Sequence, residues 1–361
     1  MSSNNRIKVG VIGAGAIATH CHIPAYQALP DVEVVAVADA TPGRAQEVAG
    51  KFGIARAFTD YRDLLAVDGL KVVSICSPNA FHAEQTIAAL EAGINVLCEK
   101  PMAIAYDDAV RMVDTAKRTG KLLMIGMTNR FREDIQAMRQ YAVDGLLGEI
   151  YYMKAGWLRR SGIPGYGSWF TNKKLSGGGS LLDIGVHFLD MALWIAGFPK
   201  PVAVTGATFA KFGPSGKALG GWGADIFRTG KQVFDVDDLA TAFIRLENGA
   251  VLTLEVSWAA HVGEFGENYL RFLGTEGGME TASRFDKHYS VRYYSERHDH
   301  QYDQQLQVSA GDKNHWVEIA HFIDCVKGSA EPLVTFEQSL TVAKVLDGIY
   351  RSAELGREVA L

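Results

Sequence analysis

The sequence predicts an α/β domain with a parallel sheet, followed by an α+β domain with a large, mostly antiparallel open sheet. Three observations carry that prediction. In the first third, short apolar runs alternate with amphipathic helical stretches. Beyond Arg130 the strand-like runs lengthen and a hairpin signal enters. The chain of 361 residues also exceeds what one core organises, since single cores stop growing at about 250–300 residues.

In the first domain the strands are Ile7 to Ile12, Val32 to Ala38, Val72 to Cys76, Ile94 to Cys98 and Leu122 to Ile125. Their runs of Val and Ile do not alternate with polar residues, so both faces are buried, as a parallel sheet covered by helices requires. Amphipathic stretches between them, such as Phe81 to Ala92 and Tyr106 to Arg118, supply the helices, and Gly120 ends the second of these. A helix from about Arg130 to Val143 then leads into longer strands at Ile150 to Trp157, Ala240 to Leu246, Val251 to Trp258 and Tyr269 to Leu273. Asn248-Gly249 joins two of these as a hairpin turn, because both residues tolerate positive φ. The boundary falls near Thr128 to Phe131, which gives domains 1–129 and 130–361. Two closing helices, Trp316 to Val326 and Phe336 to Arg351, could pack back on the first domain.

Composition narrows the function. Hydrophobic residues at 48% and charged residues at 21% describe a soluble globular protein and exclude disorder or a coiled coil. A net charge of -5 without any Lys/Arg block excludes nucleic acid as a partner. The first apolar stretch, Ile7 to Ile12, is far shorter than the ~20 residues that span a bilayer, so no membrane role is expected. Cys21, Cys76, Cys98 and Cys325 lie far apart and read as reduced thiols of a cytoplasmic protein. His20-Cys21-His22 offers ligand types for zinc, but adjacent residues rarely point at one ion and no second cluster follows, so no metal is expected.

Gly13-Ala14-Gly15-Ala16-Ile17 follows a strand and opens a helix, the context of a dinucleotide-binding turn. The glycines let a pyrophosphate approach the backbone, and the helix N-terminus offers it unpaired N–H groups. Asp39 ends the second strand, where a carboxylate can accept hydrogen bonds from both ribose hydroxyls and would repel a 2′-phosphate. NAD is therefore expected over NADP, although Arg44 is near enough to blur that preference. Two further strands end at Ser77-Pro78-Asn79, with His82 beyond it, and at Glu99-Lys100-Pro101; ligands of open α/β sheets bind past such ends. Lys100 then falls where the nicotinamide ring must lie.

In the second domain, Asp183 and His187 stand four apart after Gly177-Gly178-Gly179-Ser180, on one helix face where a carboxylate can orient an imidazole. Histidine is the usual general acid or base near neutral pH. Asp190 shares that face and leaves the carboxylate partner open. Trp157, Arg159, Tyr166, Trp169 and Asn172 supply aromatic and polar groups suited to stacking on pyranose rings and binding their hydroxyls.

Together, the glycine turn, Ser77-Pro78-Asn79 with His82, Glu99-Lys100-Pro101 and the Asp183 to His187 segment resemble the Gfo/Idh/MocA family over nearly the whole chain. The resemblance implies a Rossmann domain and a C-terminal α+β domain whose open sheet often mediates oligomerisation, here as a homodimer or homotetramer. It implies a Lys, Asp and His triad at Lys100, Asp183 and His187, with a cis peptide between Lys100 and Pro101. The implied activity is NAD(P)-dependent hydride transfer at a hydroxyl-bearing carbon of a sugar or cyclitol. In that reading His187 handles the hydroxyl proton, Lys100 stabilises the alkoxide and Asp183 holds the imidazole. The alternatives are an NAD-dependent glycosidase with transient oxidation, which net NADH production would distinguish, and a non-catalytic NAD-binding sensor, against which the intact Lys100, Asp183 and His187 set speaks.

Overall fold

The computed structural model describes residues 6–220, 233–263, 267–282, 290–308 and 313–361. The chain divides into two compact units, Met1–Thr128 with Lys313–Leu340, and Asn129–Asp312 with Thr341–Leu361.

In the first unit the strands are β1 (Ile7–Ile12), β2 (Val32–Ala38), β3 (Arg56–Phe58), β4 (Leu70–Ile75), β5 (Asn95–Cys98) and β6 (Leu123–Ile125). They form one sheet in the order β3-β2-β1-β4-β5-β6, with every pairing parallel. Helices α1 (Ile23–Gln27), α2 (Arg44–Phe52), α3 (Tyr61–Leu65), α4 (His82–Glu91) and α5 (Tyr106–Thr119) make the crossovers. Val9, Val11, Val72, Val73, Ile75, Val96 and Leu97 are all fully buried, which is why these strands carry unbroken apolar runs. Strand order reverses between β1 and β4, and ligands of such sheets bind beyond the carboxyl ends at that reversal.

The second unit contains β7 (Ile150–Leu158), β8 (Pro201–Phe209), β9 (Leu239–Leu246), β10 (Val251–Ser257), β11 (Glu267–Gly274), β12 (Gly277–Ala282), β13 (Ser290–Arg297), β14 (His300–Gln307) and β15 (Val359–Ala360). They form a nine-stranded sheet in the order β14-β13-β12-β11-β7-β10-β9-β8-β15. All its pairings are antiparallel except β7 with β10. Its helices include α6 (Glu133–Val143), α7 (Lys173–Ser176) and α8 (Val186–Ile195). Of the two closing helices, α9 (Asn314–Val326) lies in the first unit, and α10 (Phe336–Leu355) falls mostly in the second. On β9, Ala240, Ala242, Ile244 and Leu246 are buried while Thr241, Phe243 and Arg245 are exposed, so one sheet face is covered and the other is open. The helical stretch Lys173–Ile195 is long and apolar enough to cross a membrane, yet 89% of its apolar window is buried inside the protein.

The β9–β10 turn differs from a two-residue hairpin. Leu246 N bonds Ala250 O at 3.0 Å, which leaves a three-residue loop, and Gly249 takes the left-handed conformation with φ +85°. Strand β14 had no apolar alternation to announce it and is exposed along nearly its whole length.

A buried ion pair anchors α8. Arg130 sends Nε and Nη2 to the two oxygens of Asp190 at 2.9 and 2.6 Å, and neither side chain is more than 1% exposed. Trp194 and Phe198 lie against the guanidinium, at 5.6 and 5.1 Å. We predict that Asp190→Ala destabilises the protein by about 3–5 kcal/mol, because it strands a buried cation. Urea unfolding measures this, and a loss below about 1 kcal/mol, the value of an exposed pair, would contradict it.

Candidate active site

The first unit supplies a glycine turn closed by a carboxylate. Gly13 has φ +92°, and a Cβ there would lie 2.6 Å from the backbone of Cys76 and Ser77, so only glycine lets the end of β1 run beside the end of β4. A Cβ on Gly15 would meet nothing within 4 Å, which leaves open space over the helix start at Ala16 and Ile17. Ala14 N donates to Asp39 Oδ2 at 2.8 Å and Thr41 N to Oδ1 at 2.8 Å. Asp39 is thus pinned beside the turn, half-buried, with each oxygen keeping acceptor capacity. A dinucleotide fits these features: open backbone at the turn and a fixed acceptor at the end of β2. Arg44 begins α2 and is half-buried. The helix after the turn widens into a π turn at Ala18–His22, where Ile23 N bonds Ala18 O. Pro24 accounts for the widening, because it has no N–H to continue the α pattern and its ring crowds the preceding turn.

At the ends of β4 and β5 two loops are tied together. The buried His82 ring faces Ser77 O at 2.9 Å through Nε2 and Pro101 O at 2.8 Å through Nδ1. Burial pushes its pKa below the ordinary value, although both carbonyl contacts favour the charged ring. Ser77 Oγ donates to Gln85 Oε1 at 2.6 Å, and Asn79, just after Pro78, is buried at the start of a 3₁₀ turn. The Lys100–Pro101 peptide is cis. Glu99 is 7% exposed and takes His22 Nε2 on Oε1 at 2.9 Å and the Lys100 backbone N–H on Oε2 at 3.2 Å. Burial raises the Glu99 pKa, but the hydrogen bond from His22 and the positive charge around it, that of Lys100 included, outweigh it and bring it down to about 2. Lys100 therefore stands half-buried on a strand end whose backbone an ionised carboxylate holds. Its ammonium can stabilise an oxyanion there.

In the second unit Asp183 lies in a π turn, Leu181–Gly185, and His187 in the first turn of α8. Of residues 181–190 only these two are partly exposed, so the stretch opens to solvent at the two groups the sequence singled out. Asp183 Oδ2 accepts the indole Nε1–H of the fully buried Trp258 at 2.9 Å. Asp190 is committed to Arg130, which removes it as a rival carboxylate. Arg159 stacks on Trp157 at 3.8 Å, and its charge, weakened by burial, is favoured by Asp183. Trp169 stacks on Phe170 at 3.9 Å, Tyr166 packs on Phe234 at 6.1 Å, and the Asn172 side-chain oxygen caps α7 by accepting from Lys174 N at 3.1 Å.

Residues outside the expected set hold these groups. Asp237 is 6% exposed and accepts from Gly179 N, Ser180 Oγ, Leu181 N and Tyr350 Oη at 2.8, 2.8, 2.9 and 2.8 Å. A Cβ on Gly178 would lie 2.0 Å from the Tyr350 hydroxyl oxygen, and one on Gly179 1.8 Å from the Asp237 carbonyl oxygen, which explains the glycine run before the turn. Next to it, Asp238 O accepts the backbone N–H of Trp258 at 2.8 Å. The pair of acids before an apolar strand was the only sequence trace of this arrangement.

The chain matches the model of the oxidoreductase family with an NAD-binding Rossmann fold over residues 7–127 and that family's C-terminal alpha/beta domain over residues 142–361. It is 36% identical over 359 residues to the D-glucoside 3-dehydrogenase of Escherichia coli strain K12, covering 99% of each chain. To the levoglucosan dehydrogenase of Pseudarthrobacter phenanthrenivorans it is 32% identical over 292 residues, covering 76% of this chain and 73% of that protein. A solved levoglucosan dehydrogenase in complex with NADH and L-sorbose superimposes with a TM-score of 0.84 at 26% identity, covering 99% of both chains. The chain belongs to the Gfo/Idh/MocA family of NAD-binding oxidoreductases.

Proposed function

We propose that this sugar oxidoreductase oxidises a secondary ring hydroxyl of a glucoside, at C3, with NAD as cofactor. The observation that carries the substrate reading is the 36% identity to a D-glucoside 3-dehydrogenase along 99% of both chains. The half-buried Trp157, Tyr166 and Trp169, with Arg159 on Trp157, support it as surfaces for a pyranose ring and its hydroxyls.

NAD, when bound, supplies the hydride acceptor. Gly13, Gly15, Ala16 and Ile17 leave backbone open to its pyrophosphate, Asp39 accepts from its ribose hydroxyls, and Ser77, Pro78, Asn79 and His82 shape the neighbouring strand end. His187 takes the proton of the reacting hydroxyl, and the Lys100 ammonium stabilises the oxygen as negative charge develops on it. Asp183, held by Trp258, keeps the substrate and the imidazole in register. Reversal reduces the ketone. The protein is assigned to the cytoplasm, where its free thiols suit the reducing conditions. The open sheet face carrying Phe243 supports a homodimer or homotetramer; a monomeric mass by light scattering would refute that.

Absorbance at 340 nm should rise when the protein meets NAD and a glucoside, and calorimetry should show NAD binding more tightly than NADP. Tighter binding of NADP would reassign Arg44 as a phosphate partner, and turnover confined to inositols would overturn the glucoside. We predict that His187→Asn lowers kcat by roughly 10²- to 10⁴-fold, as for loss of a positioned acid or base, with NAD affinity unchanged. Near-normal turnover of this variant would return His187 to a packing role.

A further inference from the structure

We infer that His22 is a positioning residue for Lys100, acting through Glu99 at the end of a buried hydrogen-bond chain that begins at Tyr26. The inference rests on the proposed role of Lys100 in the reaction. Tyr26, Ser74 and His22 are fully buried and Glu99 nearly so. Tyr26 Oη lies 2.8 Å from Ser74 Oγ, Ser74 Oγ 3.1 Å from His22 Nδ1, and His22 Nε2 2.9 Å from Glu99 Oε1.

The donors in this chain have one consistent direction. Among the described residues the Tyr26 hydroxyl hydrogen-bonds Ser74 alone, and burial pushes its pKa well up, so it keeps its proton and donates to Ser74. Ser74 then has its own proton to give, and His22 Nδ1 receives it. The ring proton is left on Nε2, where it meets the Glu99 carboxylate. The order of donors thus selects the His22 tautomer, as partner bonds at one ring nitrogen do generally.

The consequence reaches Lys100 because Glu99 has two oxygens with two tasks. Oε1 takes the His22 ring N–H and Oε2 holds the Lys100 backbone N–H. Gly126 leaves room for this, since a Cβ there would stand 3.3–3.4 Å from the carboxylate. A buried carboxylate that loses a donor must turn to find another, and turning releases Lys100. His22 sits in the π turn that follows the glycine turn, so the chain places the candidate cofactor turn and Lys100 on one frame.

The test uses the full chain and Ser74→Ala, which removes one donor and keeps every ring in place; Tyr26→Phe is the second variant. Glu99-Lys100 is the sole Glu-Lys step in the sequence, so selective ¹³C-Glu, ¹⁵N-Lys labelling isolates the Lys100 amide by NMR. In the wild type, ¹⁵N-labelled histidine should show His22 protonated on Nε2 and bare on Nδ1 at neutral pH. Ser74→Ala should mix the tautomers, speed Lys100 amide exchange and lower kcat by about 2- to 12-fold, the range of one lost neutral hydrogen bond, with NAD affinity unchanged. A His22 proton on Nδ1 in the wild type, or Lys100 exchange unaltered in both variants, would overturn the inference. Both NMR readouts need no turnover, so they judge it even where no sugar is oxidised. If exchange responds and kcat does not, His22 positions the peptide but Lys100 has no part in the reaction, and the inference falls with that role.

Discussion

A carboxylate taken out of water has to be met by donors, and that constraint organises both parts of this protein. Glu99 gathers His22 and the Lys100 backbone, Asp190 gathers Arg130, and Asp237 gathers two backbone amides, the Ser180 hydroxyl and the Tyr350 hydroxyl. Asp238 does the same for the amides of Lys211, Phe212 and Gly213. Glu99, Asp237 and Asp238 each fix a backbone segment, and two of those segments carry Lys100, Asp183 and His187. Directional bonds specify position more sharply than apolar contact does. The half-exposed groups are therefore held in place within their own units rather than free to wander.

The division of labour follows from burial. Glu99, Asp190 and Asp237 lie inside, accept from the protein on both oxygens and serve as anchors. Asp39, by contrast, is half-buried at the end of β2, and its two oxygens each take one backbone N–H and keep room for more. Asp183 is likewise half-buried, with Trp258 on one oxygen. The distinction between anchor and working carboxylate is one of exposure, not residue type.

Much of this was legible in the sequence where local chemistry decides structure. The buried parallel strands wrote themselves as runs of Val and Ile, and the glycine turn, Asp39 and the Asp183 to His187 spacing fall within short windows. The hairpin at Gly249 was legible in place but not in loop length, because a third residue, Glu247, joins the turn. Long-range partners were not legible. Nothing near Trp258 announces a bond to a residue 75 positions away, and His22, weighed and set aside as a metal ligand, reaches a carboxylate 77 positions on. Strand β14 escaped for another reason: with almost every position exposed it lacks the alternation that marks a strand.

The central claim is direct hydride transfer from a ring carbon of the sugar to the nicotinamide, and isotope transfer tests it most directly. A glucoside deuterated at its ring carbons would be incubated with the protein and NAD, and the NADH recovered and read by NMR. The account predicts one deuterium at C4 of the nicotinamide and a ketone on the sugar ring. Unlabelled NADH, or a cleaved glycosidic bond without net NADH, would contradict it.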